Sequence, residues 1–192
     1  MQPARGKTAV IGSLAAALVI GLFQTSIARA DGQEVVWARI AGINPNPIGG
    51  QDIGGILNPV HPVGFPWSVT RGRAKLDLET NEVHFRVDGL SMGASPSPFG
   101  GIGTTGVVTK VKGTIVCNPT PPNPVSPFPP IDTDAVELSA HGNASFHGTL
   151  SIPVACAPQN LVFLLRVAET PPFVFPSIVD LWLAHGAARR VR

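Results

Sequence analysis

Arg73-Ala74-Lys75-Leu76-Asp77-Leu78, then Glu79-Thr80-Asn81, then Glu82-Val83-His84-Phe85-Arg86-Val87-Asp88: these sixteen residues decide the fold. Ala74, Leu76 and Leu78 alternate with Arg73, Lys75 and Asp77. Beyond the Thr80-Asn81 turn, Val83, Phe85 and Val87 alternate with His84, Arg86 and Asp88. Successive side chains of a strand point to opposite faces. Two period-2 runs around a short polar turn therefore predict an antiparallel hairpin with one buried and one wet face.

Further β-forming runs fall at 34–41, around Val35, Val36, Trp37 and Ile40, and at 104–117, with a bulge expected at Gly113. Others fall at 134–139, 144–152 and 178–184, the last containing Trp182. The nearly continuous apolar run 161–168 predicts a central strand buried on both faces. The chain has 21 glycines and 20 prolines, which argue against long helices. Eight short strands separated by turn clusters predict an all-β fold, a single antiparallel β-sandwich or jelly roll spanning residues 31–192. Immunoglobulin topology fits less well, because the chain has no Tyr for a tyrosine corner and no Trp between its two cysteines. Three Gly/Pro-rich loops interrupt the strands, at 42–66, 89–105 and 118–130. The last holds seven prolines in 13 residues and predicts a stiff polyproline-like connection. Such a tract could also serve as a polyproline ligand.

The N-terminus has a different character. Arg5 and Lys7 precede an apolar run to Phe23, and Ala28-Arg29-Ala30 supplies a small-x-small cleavage pattern. Residues 1–30 are expected to be a cleaved signal peptide. An uncleaved anchor would want about 20 apolar residues, and this run is shorter and carries Gly12, Ser13 and Gly21. The expected location is secreted or periplasmic, with no integral membrane segment after cleavage. Cleavage removes Arg5, Lys7 and Arg29, so the full chain's +2 becomes 11 basic against 12 acidic side chains, a charge of −1. A near-neutral chain gives no general reason to bind nucleic acid. Cys117 and Cys156 are the only cysteines, and in an oxidising compartment they are expected to form one structural disulfide.

Several motifs suggest chemistry. Gly89-Leu90-Ser91-Met92-Gly93 matches G-x-S-x-G, with Asp180 and His185 in triad order. A nucleophile elbow needs a sharp strand-to-helix turn, but Ala94-Ser95-Pro96-Ser97-Pro98 follows and cannot start a useful helix. Ser91 is thus a weak catalytic candidate. Gly101-Ile102-Gly103-Thr104-Thr105-Gly106 matches a dinucleotide fingerprint, yet a strand-like run follows where a helix is needed. It is expected to be a turn, and no cofactor is implied. His84, His141 and His147 are weak metal candidates: they could approach from adjacent strands, although no pair has ligand spacing of its own. Asn143-Ala144-Ser145 has the form of an N-glycosylation acceptor in a turn.

Four pieces taken together resemble a group of uncharacterised exported bacterial β-sandwich proteins. These are Val87-Asp88-Gly89-Leu90, Val111-Lys112-Gly113-Thr114-Ile115-Val116-Cys117, Leu138-Ser139-Ala140-His141-Gly142-Asn143-Ala144 and Ile152-Pro153-Val154-Ala155-Cys156. The first is also similar to the CHRD β-sandwich domain, whose histidine-bearing segment is replaced here by Ser91-Met92-Gly93-Ala94. The resemblance implies a β-sandwich and brings no reaction or binding residue with it. The expected function is that of an exported, non-enzymatic binding or envelope-associated module. It would contact a protein or cell-envelope partner through its three loops. The alternatives are a secreted hydrolase using Ser91 and a periplasmic metal-binding protein.

Overall fold

The computed structural model describes residues 33–43, 65–93, 100–117, 128–172 and 178–192. The expected signal peptide, most of the 42–66 and 118–130 loops and residues 94–99 of the 89–105 loop lie outside them. The described residues are all-β, apart from one 3₁₀ turn at Pro158–Asn160. The strands are β1 (Glu34–Gly42), β2 (Trp67–Ser68), β3 (Arg71–Asp77), β4 (Glu82–Asp88), β5 (Ser91–Met92) and β6 (Lys110–Cys117). They continue with β7 (Ile131–Asp132), β8 (Val136–Glu137), β9 (Ala144–Thr149), β10 (Leu161–Glu169) and β11 (Trp182–Val191).

Nine strands form one antiparallel sheet in the order β7-β6-β10-β11-β1-β3-β4-β9, with β8 also paired to β6. Strands β2 and β5 form a small separate ribbon. The large sheet curls on itself into a half-barrel. Phe85 on β4 lies 5.7 Å from Phe163 on β10, although β3, β1 and β11 separate those strands in the sheet. Trp37 meets the same Phe163 at 5.7 Å from the middle of the curl. Trp37, Phe85, Phe163, Leu76, Val83, Val111 and Ile115 are essentially sealed from solvent. Each large side chain so buried contributes about 1.5–3 kcal/mol. Glycine makes this packing possible at Gly113, where a Cβ would fall 2.9 Å from the Phe85 ring and 3.0 Å from Phe163.

The expectation of an all-β antiparallel fold holds, but a half-barrel replaces the two separate sheets of a sandwich. The physical reason lies in β11. Its first residues pair with β10 (Leu165 with Ala184), while the rest pair with β1 from Gly42–Ala184 to Val35–Val191. One long strand thus joins two halves that would otherwise be separate sheets. The run expected to end at residue 184 starts later and continues seven residues further. Asp180 adopts a left-handed φ of 69°, and residues 178–181 form a turn. The strand expected from residue 104 begins only at Lys110. The Thr104 hydroxyl instead donates to the Gly101 carbonyl at 2.7 Å and accepts from the Gly106 amide at 3.1 Å, closing a turn. No bulge occurs at Gly113, which pairs in register with Leu165. The register shift falls on β10 between Val167 and Glu169.

Cys117 and Cys156 form a disulfide with Cα atoms 5.5 Å apart. It fastens the end of β6 to the loop that enters β10. On the outer face of the same strands, Arg166 is buried and donates to Asp132 at 2.9 Å and to the Asp180 carbonyl at 2.8 Å. Lys112 reaches both carboxylates, at 2.7 and 2.6 Å, and the Thr114 hydroxyl donates to Asp132 at 2.7 Å. Two cations and two anions thereby pin the edge strand β7 and the 178–181 turn to the sheet.

Candidate functional site

The wet face of the β3–β4 hairpin, extended by β9, gathers most of the outward charge. Alternation sends Arg71, Arg73 and Lys75 of β3 outward with Glu82, His84, Arg86 and Asp88 of β4. Their apolar neighbours Ala74, Leu76, Val83, Phe85 and Val87 are buried beneath. The register then arranges them in rows. Arg73 stands opposite Arg86, which stands opposite Ser145 of β9. Lys75 stands opposite His84, which stands opposite His147. Arg71 stands opposite Asp88.

Neutralisation across this face is uneven. Arg86 is gripped by the Asp88 carboxylate at 3.1 Å, and Lys75 pairs with Glu34 at 3.1 Å. His147 contacts the Glu82 carboxylate. Arg71 and Arg73 have no ion pair among the described residues. Burial, followed by the nearby Arg73 charge, pushes the pKa of His84 below the usual histidine range.

Open depressions adjoin one another over this face. One of about 380 Å³ is lined by Ala38, Arg71, Gly72, Arg73, Arg86 and Asp88. Its charged lining is three guanidinium groups against one carboxylate, a local charge of +2. A second, of about 280 Å³, lies beside Lys75, Asp77, Glu82, His84 and His147. A third includes His141 and Asn143 together with Arg71, Arg86 and Asp88.

The histidine candidates are thus divided. His84 and His147 come together with ring centroids 5.9 Å apart, whereas His141 lines the third depression near Arg71. No three His, Cys, Asp or Glu side chains among the described residues form a group that could hold a metal ion. Ser91 lies on β5 rather than on a strand-to-helix turn, and its hydroxyl meets the Ser68 hydroxyl at 3.1 Å. Among the described residues, no histidine or carboxylate hydrogen-bonds it. Asp180 is committed to Lys112 and Arg166, and His185 packs edge-on against Trp182 at 6.1 Å. The glycine-rich run at 101–106 is a turn that leaves Ile102 exposed. Segments 44–64, 94–99 and 118–127, which hold most of the loops expected to make contacts, lie outside the described residues.

Sequence reasoning passed over Arg71, Arg73 and Arg86. Their outward direction was legible from the alternation. What it lacked was the register that places Arg73 against Arg86 and the β4–β9 pairing that adds His147. The chain matches no protein-family model, no curated protein and no solved structure. The case for function therefore rests on this chain's own geometry.

Proposed function

We propose that the chain is exported, loses residues 1–30, and acts outside the cytoplasm as a non-enzymatic module that binds a cell-envelope partner. The observation that carries this reading is the exposed β3–β4–β9 face, where adjoining depressions and under-neutralised arginines converge. Guanidinium groups left without a countercharge on a sheet face are a recognition surface for carboxylate and phosphate chemistry. Export is supported by the signal-peptide pattern of residues 1–30 and by the Cys117–Cys156 disulfide, which persists in oxidising compartments. No helix among the described residues is long and apolar enough to cross a membrane. This reading moves the contact surface from the three loops to the sheet face.

The test is co-sedimentation with cell envelope isolated from the native host, using protein whose intact mass is checked for a start near Asp31. Wild-type protein should sediment with the envelope, and an Arg71→Ser/Arg86→Ser variant should stay in the supernatant. Equal retention of both, or of neither, contradicts the proposal.

The second reading, metal binding, has only the pair His84 and His147, which stand in register without a third ligand among the described residues. One equivalent of zinc or copper in the purified protein, lost on His84→Ala, would support it over the first. The hydrolase alternative has no comparable observation at Ser91.

A further inference from the structure

We infer that the depression between Arg71, Arg73 and Arg86 is an oxyanion site that takes one phosphate or carboxylate group. This deepens the binding reading, resting on it only for the choice of face.

Three features of the depression point to an anion. The first is electrostatic. Arg73 and Arg86 are held directly opposite each other, an arrangement in which like charges destabilise a sheet. Asp88 offsets one of them, gripping Arg86 with Nε contacts of 3.2 and 3.1 Å and an Nη2 contact of 3.2 Å. Arg73 and Arg71 are left without an ion pair among the described residues. An anion seated between them would supply the missing countercharge.

The second is geometry. A guanidinium presents its donors in a planar fork that fits carboxylate and phosphate oxygens in pairs. Arg86 is already oriented by Asp88, and two guanidinium groups beside it keep their donors available. The third is the lining. Ala38 and Gly72 are the other described wall residues, so among the described residues no large apolar side chain faces the space. That suits a hydrated anionic head and gives a hydrocarbon chain nothing to pack against. The neighbouring depression has the opposite bias, with Asp77 and Glu82 against Lys75, so the preference for anions is confined to the arginine end.

The experiment compares thermal unfolding of the protein in sodium phosphate and in sodium chloride at equal ionic strength, with long-chain polyphosphate as a further arm. Ligand that binds only the folded state raises its melting temperature. Phosphate should raise the melting temperature above the chloride value in wild type and in the Lys75→Gln control. Arg73→Gln should melt no lower than wild type in chloride, which shows that it folds, and should keep only the smaller increment that phosphate gives by exclusion from any protein surface. An increment with phosphate itself identifies a single-group site. An increment with polyphosphate alone, abolished by Arg73→Gln, identifies the same group carried on a polymer. Equal melting in all three salts would overturn the inference, as would an increment as large in Arg73→Gln as in wild type. Envelope retention without any phosphate or polyphosphate increment would overturn this site while leaving the wider face standing. An increment without envelope retention would do the reverse.

Discussion

Arg73 of β3 stands directly opposite Arg86 of β4 on the exposed side of the hairpin, and among the described residues only Arg86 of the two has an ion pair. Paired residues on one face of an antiparallel ladder have Cβ atoms about 4.5–5.5 Å apart, close enough for like charges to cost stability. Arg73→Glu converts the pair to opposite charges. It should raise stability by about 0.2–1 kcal/mol at low ionic strength, and by less as salt screens the pair. Urea denaturation at low and high salt checks both the sign and the screening. A loss of stability would show that the repulsion is already relieved.

The disulfide closes a segment with a sequence separation of 39. In the chain-entropy model a loop of that length is worth roughly 4 kcal/mol, a large share of the ~5–15 kcal/mol typical of a folded domain. Cys117→Ser, or reduction, should lower the melting temperature sharply and leave envelope binding intact below it. Two titratable thiols in the native, non-reduced protein would contradict the pairing.

The four-charge network gives a pH dependence whose sign can be worked out. The hydrogen bond from Lys112 holds the Asp180 pKa below the usual carboxylate range, against burial and with help from the Arg166 charge. A depressed folded pKa stabilises at pH above the unfolded value of about 3.8, and that stability is lost as pH falls through the folded value. For Lys112, burial opposes the charge, but hydrogen bonds to Asp132 and Asp180 raise its pKa overall. Its contribution is present below about 10.5 and is lost as pH rises through the folded value. These two groups alone make stability fall at both extremes, and His84, whose folded pKa is lowered from 6.5, adds a decline as pH falls below about that value. Asp180→Asn should flatten the acid limb, so an unchanged acid limb in that variant contradicts the assignment. Arg166→Leu should cost about 2–3 kcal/mol. That is less than the ~3–5 kcal/mol of a fully buried broken pair, because Asp132 and Asp180 reach solvent.

Gly113 tests the interior of the curl. A Cβ there would meet the Phe85 ring at 2.9 Å, and overpacking of this kind typically costs about 1–3 kcal/mol. Gly113→Ala should destabilise by that amount, and Phe85→Leu in the same background should recover part of the loss. Additive losses in the double variant would mean that the two side chains do not compete for one space.

How far the sequence carried this fold depended on whether each feature was local. The 73–88 hairpin was legible because alternation encodes both its faces and its turn. Of β11 only the start around Trp182 was legible, because Ala184-His185-Gly186-Ala187-Ala188-Arg189-Arg190 has no alternation. Its pairing with β1, nearly 150 positions away, makes it a strand and turns an expected sandwich into a half-barrel. Short strands such as β7 take their form from a partner, here Thr114 and Ile115 of β6. The disulfide needed only two cysteines and a compartment. The site was half legible: the outward direction of each arginine followed from period 2, while their mutual placement followed from register. His84 and His147 met only because β4 pairs with a strand some sixty residues later.

The most direct measurement of where a partner lands is amide chemical-shift mapping of the labelled protein titrated with a soluble fraction of the native host's envelope. Shifts should cluster on the outward-facing positions Arg71, Arg73, His84, Arg86 and His147, with the Ser68–Ser91 ribbon and the 101–106 turn unmoved. Shifts centred on Ser91 or on the glycine-rich turn, with the β3–β4–β9 face silent, would contradict it.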